Sequence, residues 1–428
     1  MKFTAAGDAL IQRRIPQGYE GMKEVRDFVL RGDARFFNLE TTLNREGECF
    51  ASQFSGGTYL RADPEVFGDL LAYGFNLTSF NNNHAMDFSY EGLLKTREAV
   101  ASYGVVQSGA GRNLAEASAP AYLETPGGRV ALIAVNSTFH PAMMAGEQSR
   151  RVLGRPGING LRFEEILELG PEDFEKIREI GEKTGVNVQT NITRAEGYGK
   201  PAEEGVYELG PLRFTCGTEA SRHTAPNRED MARVEKAIFE AQLQADYIMI
   251  SVHSHELAGR SKETPSEFLE TFARRCIDAG ADAVIGHGPH LLRPIEIYKN
   301  RPIFYSLGDF VLQLYNVALA PEDFYRTQGL TSDSTVHELL KKRSAGFTRG
   351  LMEDRRMAQT VVPYWETRGG ELTRLELLPV TLSMDGTHAL QGLPQKAENA
   401  DFIERLAAMS APYGTKMTLR DGIVRCEW

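Results

Sequence analysis

Residues 283–292, AVIGHGPHLL, join a short apolar run to a polar turn that carries two histidines, His287 and His290. The apolar run predicts a buried strand, and the two glycines and the proline around the histidines predict a turn directly after it. The chain has nine histidines in 428 residues, so a pair this close needs an explanation. Taken alone, the pair is open to three interpretations: metal ligands, an acid or base, or polar residues of a turn.

The same arrangement, a short strand followed by a residue that can bind a metal or exchange a proton, recurs along the chain. KFTAA is followed by Asp8, ARFFNL by Glu40, FNLTSF by Asn83 and His84 with Asp87 beyond, DYIMISV by His253, His255 and Glu256, and PIFYSL by Asp309. Ligands of open α/β folds bind beyond the carboxyl ends of parallel strands, so we expect these side chains to meet at one edge of a sheet.

Helix-length amphipathic stretches separate these strands, and several of them end at a glycine that is typical of a helix C-terminus. The alternation of strand and helix predicts an α/β fold with a mostly parallel sheet and helices on both of its faces. After Thr360 the runs TVVPYW and ELTRLELLPVTL predict two further strands, and a C-terminal helix is expected over 401–409.

Two long polar regions, 141–216 and 313–359, interrupt the alternation, and the first contains a predicted helix over 163–183. Segments of this length between sheet elements are typical of lids or subdomains, although solvated surface decoration fits their composition equally well. We therefore predict one domain over 1–428, with these two regions as insertions and 360–428 completing the fold.

The composition limits the class of partner and the compartment. The 48 basic and 58 acidic side chains give a net charge of −10, which argues against nucleic acid as the main partner. The four cysteines form no C-x-x-C pair, which favours free thiols in a reducing compartment. No apolar run reaches 18 residues and the N-terminus lacks a signal-peptide pattern, so we expect no membrane partner and a cytoplasmic protein.

The candidate residues favour hard or borderline metal ions. They combine carboxylate, amide oxygen and imidazole without cysteine, which suits two divalent ions such as Mn, Fe or Zn rather than a structural thiolate zinc. One histidine after a strand is more often structural, but six strands that end in this way favour a metal site.

Six motifs, in this order, carry a resemblance to a known family: GDALIQRR, FFNLETTL, NNNHAMDF, SVHSHE, GADAVIGHGPHLLRPIE and IFYSLGDFV. Together they resemble the bacterial capsule synthesis family, known for the CapA and PgsA proteins of poly-γ-glutamate capsule production and related to the calcineurin-like metallophosphoesterases. The resemblance runs from about Phe3 to Val311. It implies a four-layer α/β/β/α sandwich with insertions, a dinuclear metal centre and hydrolase chemistry.

The resemblance also implies roles for single residues. Asp8 resembles the first-strand aspartate that binds one metal, and Glu40 stands in the place of the bridging carboxylate. Asn83 and His84 match an Asn-His pair, with the amide oxygen on a metal and the imidazole near the leaving group. The remaining implied metal ligands are His253, His287 and His290.

Simpler roles remain open for three polar residues of these motifs. Asn81 and Asn82 could cap the helix that is expected to start near Asp87. Asp309 could merely close a turn after its strand.

The chain departs from the family pattern at three places. The closing motif is usually GHHPH, whereas Gly288 makes it GHGPH here, and YSLGD replaces YSLGN. A Trp-Gly pair usually follows the fourth-motif histidine, whereas Ser254 and His255 follow it here. Either His287 binds metal with a rotated ring, or the metal site is altered. We hypothesise that His255 replaces the missing histidine or acts on the substrate.

The predicted function is that of a two-metal hydrolase that uses a metal-bound hydroxide on a small, carboxylate-bearing amide, lactam or ester. His84 is expected to protonate the leaving group and Asp87 to orient His84. A phosphoesterase and a non-catalytic factor of poly-γ-glutamate or capsule biosynthesis are the alternatives. The expected partner is a small anionic substrate, and homo-oligomer formation is left open.

Arginines near the motifs are the candidates for binding that anionic substrate. Arg13, Arg222 and Arg293 could clamp a carboxylate or phosphate, since the guanidinium group matches both in geometry. Surface ion pairs are the simpler explanation for the same three residues.

Overall fold

The computed structural model describes residues 1–350, 353–384 and 387–428. Residues 351 and 352 of the second predicted insertion, and 385 and 386 of the predicted C-terminal region, lie outside the described residues. The strands are β1 (Lys2–Leu10), β2 (Ala34–Leu39), β3 (Thr42–Leu43), β4 (Arg61–Ala62), β5 (Leu77–Ser79), β6 (Val106–Ser108), β7 (Ala110–Gly111), β8 (Ala121–Thr125), β9 (Gly128–Asn136), β10 (Gly157–Ile158), β11 (Phe163–Leu169), β12 (Val206–Leu209), β13 (Leu212–Cys216), β14 (Ser221–Pro226), β15 (Tyr247–His253), β16 (Ala283–His287), β17 (Ile295–Tyr298), β18 (Arg301–Phe304), β19 (Asp309–Leu312), β20 (Gln359–Arg368), β21 (Glu371–Leu382), β22 (Pro394–Lys396), β23 (Lys416–Arg420) and β24 (Ile423–Glu427).

The α-helices are α1 (Met22–Val29), α2 (Phe67–Leu71), α3 (Ser89–Ser102), α4 (Leu114–Ser118), α5 (Pro171–Thr184), α6 (Val188–Ala195), α7 (Arg228–Gln242), α8 (Glu267–Asp278), α9 (Glu322–Thr327), α10 (Val336–Arg343) and α11 (Phe402–Ser410). Among the helices that the structure describes, none is both long and apolar enough to cross a membrane.

Two large sheets carry most of the strands. The first has the order β23-β24-β21-β20-β1-β2-β5-β6, with β19 paired to β1 and β22 to β21. The second has the order β17-β18-β16-β15-β9-β8, and its central strands β9, β15, β16 and β18 are parallel. The α/β class and the individual strands are confirmed, but the prediction of one mostly parallel sheet is wrong. Short apolar runs indicate buried strands without indicating which sheet they join.

Side-chain alternation divides the core among the layers. On β2, Phe36 packs between the two sheets with Leu132 of β9, whereas Phe37 packs against Phe67 of α2. On the second sheet, Ile133 of β9 packs against α7 and α8. Successive residues of a strand point to opposite faces, so neighbouring residues such as Phe36 and Phe37 enter different hydrophobic clusters.

The predicted C-terminal strands and helix are confirmed as β20, β21 and α11. β20 pairs antiparallel with β1, so this part of the chain extends the first sheet.

Residues 163–226 contribute a small sheet of the order β12-β13-β11-β14. The predicted helix over 163–183 is wrong in its first part, because Phe163–Leu169 is strand β11, paired with β13 and β14. The helix begins only at Pro171, which follows Gly170. Proline at the first helical position is a favoured helix start, and this signal marks the true boundary.

Candidate metal centre

The candidate site lies where strands of the two large sheets bring polar side chains together. His253 and His287 are the last residues of the adjacent parallel strands β15 and β16 and are direct register partners. Asp8 and Asp309 are register partners on β1 and β19, beside an irregularity in the β1 backbone. Glu40 directly follows β2. The strands therefore fix the relative positions of these five side chains.

Three imidazoles form a continuous chain beside Asp8. His253 Nδ1 lies 2.9 Å from His287 Nδ1, and His253 Nε2 lies 3.1 Å from His255 Nε2. His287 Nδ1 is 3.2 Å from Asp8 Oδ1, whereas its Nε2 is 2.7 Å from the Ser251 hydroxyl. His287 therefore presents Nδ1 to the carboxylates.

The three carboxylates of the site are fully buried but unequally satisfied. Asp8 accepts hydrogen bonds from Asn38 Nδ2 at 2.7 Å and from the Gly288 amide at 2.8 Å. Asp309 Oδ1 lies 2.8 Å from His290 Nδ1.

Other buried oxygens of the site lack any hydrogen-bond partner within the described residues: both oxygens of Glu40, Oδ2 of Asp309 and Oδ1 of Asn83. Buried polar atoms are nearly always hydrogen-bonded, because leaving one unpaired costs about 1–3 kcal/mol. These oxygens therefore need an explanation other than folding stability.

The pKa shifts of the carboxylates also indicate that the site lacks positive charge. Burial raises the pKa of Glu40 well above its ordinary value, and the neighbouring charges of Asp8 and Asp309 raise it further. Burial also raises the pKa of Asp309 to about 6, although His290 acts in the opposite direction. Burial opposes the ionisation of Asp8 too, but His287 outweighs it and the pKa of Asp8 is lowered. Added positive charge would relieve the mutual repulsion of these acids.

The imidazoles also differ from one another in the direction of their pKa shifts. Burial, followed by the neighbouring histidines, lowers the pKa values of His253 and His255 well below the ordinary value, so both rings are neutral. Burial acts in the same direction on His290, but its contact with Asp309 outweighs it and the pKa of His290 is raised. Neutral imidazole is the form that binds metal ions.

The donor atoms fit divalent metal ions. Three groups have ligand atoms within 4.8 Å of one another: Asp8, His253 and His287; Glu40, His253 and His255; and Asp8, Glu40, His290 and Asp309. Ligands on opposite sides of one ion with bonds of about 2.0–2.2 Å are separated by roughly 4 Å, so the observed separations are compatible with shared ions. Oxygen and nitrogen donors without thiolate suit Mn, Fe or Zn.

His84 and Asp87 form a buried pair next to Asn83. His84 Nδ1 lies 2.7 Å from Asp87 Oδ2, which also accepts the Leu60 amide at 2.8 Å. The Gly56 amide donates to the other Asp87 oxygen at 3.2 Å. Burial raises the pKa of Asp87, while these contacts act in the opposite direction. A carboxylate held by two amides is a fixed acceptor, and it orients the His84 ring so that Nε2 can exchange a proton with a ligand.

Asn81 and Asn82 do not cap the following helix, contrary to the simpler interpretation. Asn81 Nδ2 donates to the carbonyls of Ala134 and Asn159, and Asn82 Nδ2 donates to the Leu39 carbonyl at 2.7 Å. Helix α3 has no side-chain cap at its N-terminus. These two asparagines therefore connect the loop after β5 to neighbouring strands and so support the position of Asn83.

The backbone of Gly288 lies close to the His255 ring. Gly288 has a φ of +119°, a conformation that favours glycine, and a Cβ atom there would lie 2.9 Å from the Ser254 nitrogen and 3.2 Å from His255 Cδ2. The His255 ring thus borders the space that a side chain at position 288 would need. His255 belongs to one of the three candidate ligand groups.

The three arginines proposed to bind substrate all have other partners. Arg293 is fully buried and donates to the backbone carbonyls of Lys262, Ser254, His255 and Glu256. Arg222 forms an ion pair with Glu165, and Arg13 donates to Asn316. Arg293 holds the loop that carries His255, whereas no hydrogen bond or ion pair within the described residues joins Arg13 or Arg222 to the histidine cluster.

Three residues of the site are not among the ligands or supports predicted from the sequence. Asp309 follows the strand PIFYSL, where it could bind a metal or merely close a turn, and in the structure it belongs to a candidate ligand group. Asn38 binds Asp8 from within β2, and a polar residue inside the apolar run ARFFNL is the signal that could have indicated it. Glu256 accepts from Ser137, Thr138 and Ser254 and so anchors the loop after β15.

Comparison with known proteins identifies the family of this chain. A family model described as "Bacterial capsule synthesis protein PGA_cap" matches residues 2–314, which include every residue of the candidate metal centre. The chain belongs to this family. The resemblance drawn from the sequence motifs is thereby confirmed, and capsule biosynthesis is the setting that the PGA_cap description names.

Relatives of this PGA_cap chain cover different shares of it. An uncharacterized protein of Sinorhizobium fredii, y4sH, is 31% identical over 437 residues, which span 99% of this chain and 92% of the relative. A probable polyglutamine synthesis accessory protein of Mycobacterium tuberculosis is 27% identical over 279 residues, covering 65% and 55% of the two chains. A hypothetical protein from Thermus thermophilus has a crystal structure that covers 89% of this chain and 98% of its own, with 13% identity and a TM-score of 0.39, too low to establish a shared fold.

Proposed function

We propose that this PGA_cap chain is a hydrolase that depends on two divalent metal ions, Mn, Fe or Zn. Asp8, Glu40, Asn83, His253, His287 and His290 would hold the ions, joined by His255 and Asp309. The observation that carries this proposal is the set of buried oxygens on Glu40, Asn83 and Asp309 that lack partners within the described residues. Metal ions would satisfy these atoms and offset the repulsion between the carboxylates.

His255 is proposed to take the ligand position that a second histidine of the closing motif would occupy. The position of the His255 ring supports this substitution of one ligand for another, because a Cβ atom at position 288 would lie 3.2 Å from His255 Cδ2. The 3.1 Å separation of the Nε2 atoms of His253 and His255 suits two ligands of one ion.

The chain's own residues would supply binding and proton transfer. When bound, the ions would supply Lewis acidity and an activated water. Asp87, fixed by backbone amides, would keep the Nδ1 proton of His84 and leave Nε2 to protonate the leaving group. The neutral imidazoles of His253 and His255 are ready to act as ligands without first losing a proton.

The preferred substrate is a small, carboxylate-bearing amide, lactam or ester. Phosphoester hydrolysis is the second candidate, since the same ions and the same acid would serve phosphoryl transfer. Membership of a capsule-synthesis family supports the third candidate, a non-catalytic role in capsule or poly-γ-glutamate biosynthesis. The buried His84–Asp87 pair favours the two catalytic candidates, because a purely structural site has no need of an oriented acid.

Several further features belong to the proposal. The two sheets and their helices would form the four-layer α/β/β/α sandwich of the calcineurin-like metallophosphoesterases. Regions 141–216 and 313–359 would be insertions in one domain, acting as a lid or subdomain. A cytoplasmic location, a small anionic partner, and Arg13, Arg222 and Arg293 as substrate-binding residues stay predictions.

Metal analysis of the full-length chain tests the proposal. After loading with Mn, Fe(II) or Zn and gel filtration, we expect about two ions per chain by mass spectrometry. Glu40→Gln should lower this number, whereas Glu124→Gln, an exposed acid paired with Arg129, should not. Acyl amides, lactams, esters and phosphoesters then separate the substrate classes. Absence of bound ions together with absence of activation by any of the metals would contradict both catalytic candidates.

A further inference from the structure

A cavity with a cationic lining, here called the basic pocket, contains residues of the second predicted insertion. It is lined by Thr58, Lys262, Leu314, Leu340, Arg343, Ser344, Arg349 and Gly350 and has a volume of about 300 Å³. Three of these residues are cations and none is an acid. A volume of this size is at the lower end for small-molecule sites. The basic pocket therefore suits one acidic group of a small ligand.

Two chain segments connect the basic pocket to the metal centre. Thr58 is two residues from Gly56, whose carbonyl accepts a hydrogen bond from Asn83 Nδ2 at 3.0 Å. Two residues of chain span at most about 7 Å, so the pocket begins close to Asn83. On the other side, the buried Arg293 donates hydrogen bonds to the backbone carbonyls of both Lys262 and His255, so Lys262 lies beside the loop that carries His255. A ligand of moderate length could therefore reach both places at once.

The arginines of the basic pocket lack acidic partners. Arg343 donates to the Thr58 hydroxyl, and its guanidinium carbon lies 5.5 Å from the centre of the Phe324 ring. No carboxylate in the described part of the chain pairs with Arg343 or Arg349. Arg356, by contrast, pairs with both Asp354 and Glu263. Cations gathered around a cavity without counter-ions repel one another, and an anionic ligand would remove this repulsion.

Lys262 is held in place by its backbone rather than by its ammonium group. Its carbonyl accepts a hydrogen bond from the buried Arg293 Nε at 2.9 Å. Its charge helps to lower the pKa of Asp354, but Arg356 already binds that carboxylate and is the larger cause. Substitution of the Lys262 side chain therefore changes the pocket's charge and leaves the backbone contact intact.

We propose that the basic pocket binds an acidic group, a carboxylate or a phosphate, at the end of the substrate remote from the bond that is cleaved. This inference rests on the proposed function, because it places the reacting bond near Asn83 and His84. Arg343 and Arg349 bind the acidic group and Lys262 closes the side nearest to the loop that carries His255. The guanidinium fork matches carboxylate and phosphate oxygens, and neutral substrates lack this contact. The substrate is thus a small molecule with an anionic end.

The test is calorimetric titration of the full-length, Mn-loaded chain with glutarate, inorganic phosphate and neutral glutaramide. We expect at least one of the anions to bind and glutaramide not to bind. Affinity for that anion should fall at least about tenfold in Arg343→Gln/Arg349→Gln and less in Lys262→Gln. A larger loss for glutarate than for phosphate assigns the pocket to carboxylates, and the reverse assigns it to phosphates. Higher salt should weaken binding in the wild type.

Arg112→Gln/Arg178→Gln is the matched control, because it removes the same charge from exposed arginines paired with Glu116 and Glu175. Its anion affinity should stay within about twofold of the wild type, as distant surface charges are screened. Metal content should be unchanged in all variants, and the titration is repeated on metal-stripped chain. If the proposed function is wrong, the wild-type chain will bind no metal. The proposal of the basic pocket is overturned if neither anion binds to the wild type, or if Arg343→Gln/Arg349→Gln binds the anion as tightly as the control variant does.

Discussion

Two polar regions of the molecule handle charge in opposite ways. Around residues 163–226, acids and bases reach solvent and are paired, as Arg194 is with Glu208 and Arg213 with Glu203. In the metal centre the acids are fully buried, and both oxygens of Glu40 lack a hydrogen-bond partner within the described residues. Exposed pairs contribute little because water screens them, whereas uncompensated buried charge costs several kcal/mol. The candidate site is therefore distinguished by buried polar atoms without hydrogen-bond partners, and not by the number of charged side chains.

The largest expected effect comes from His253→Ala, because His253 belongs to two of the three candidate ligand groups. We expect metal affinity to fall by more than about 100-fold, since even residues that only support ligands change affinity 10- to 100-fold. Titration of Mn or Zn into the metal-stripped chain, followed by calorimetry, measures this loss.

His223→Ala is the control for that change. His223 is exposed on β14 in the other polar region, where it lies 3.7 Å from Glu267 and 3.9 Å from Glu168. Its removal should leave metal affinity unchanged. Equal losses of metal affinity in the two histidine variants would mean that burial next to other candidate ligands does not determine which histidines bind the metal.

His255→Ala should have the next largest effect and should act on one ion only. The His255 nitrogen belongs to the group with Glu40 and His253, but not to the groups that contain Asp8. We expect the affinity for one of two ions to fall about 10- to 100-fold while the other ion binds normally. Metal content at limiting ion concentration distinguishes a loss of one ion from a loss of both. Full content of both ions would remove His255 from the ligand set.

The parts of the site that lie at strand ends could be predicted from the sequence. His253 and His287 end apolar runs, and parallel strands bring their carboxyl ends to the same edge, so their proximity follows from local pattern alone. The same reasoning placed Glu40 after β2. For these residues, local sequence and tertiary structure carry the same information.

Other features depend on pairings that are distant in the sequence. Asp309 is a candidate ligand because β19 pairs with β1 in a register that sets it opposite Asp8, and no local pattern specifies that register. Likewise, Phe163–Leu169 forms a strand because β13 and β14 pair with it, although it adjoins a true helix. Local patterns likewise do not divide the strands between two sheets, and only the family resemblance implied that there are two.

Glu40→Gln should change the stability of the metal-free chain in the direction opposite to its effect on metal binding. In the unfolded chain Glu40 ionises above its ordinary pKa of 4.5, whereas burial and the neighbouring acids keep it protonated to higher pH in the folded state. Ionisation therefore penalises the folded state increasingly as pH rises above 4.5.

We expect Glu40→Gln to stabilise the metal-free chain by about 1–3 kcal/mol at neutral pH, with the gain disappearing in acid. Urea unfolding in the presence of a chelator, at several pH values, measures the difference from the wild type. With saturating metal the order should reverse, because binding stabilises only the chain that retains the ligand. A variant that is less stable than the wild type without metal would show that Glu40 has a structural partner.

The smallest effect is expected where charge is paired and reaches solvent. Arg194 donates to both oxygens of Glu208 at 2.9 and 2.8 Å, and both side chains are partly exposed. A double-mutant cycle with Arg194→Gln and Glu208→Gln should give a coupling energy of about 1 kcal/mol or less by urea unfolding, with unchanged metal content. A coupling of several kcal/mol would mean that this pair is desolvated in solution, and a loss of metal would mean that residues 163–226 support the centre. Either result would contradict the distinction between the two polar regions, because exposed, paired charges would then be as important as buried polar atoms without hydrogen-bond partners.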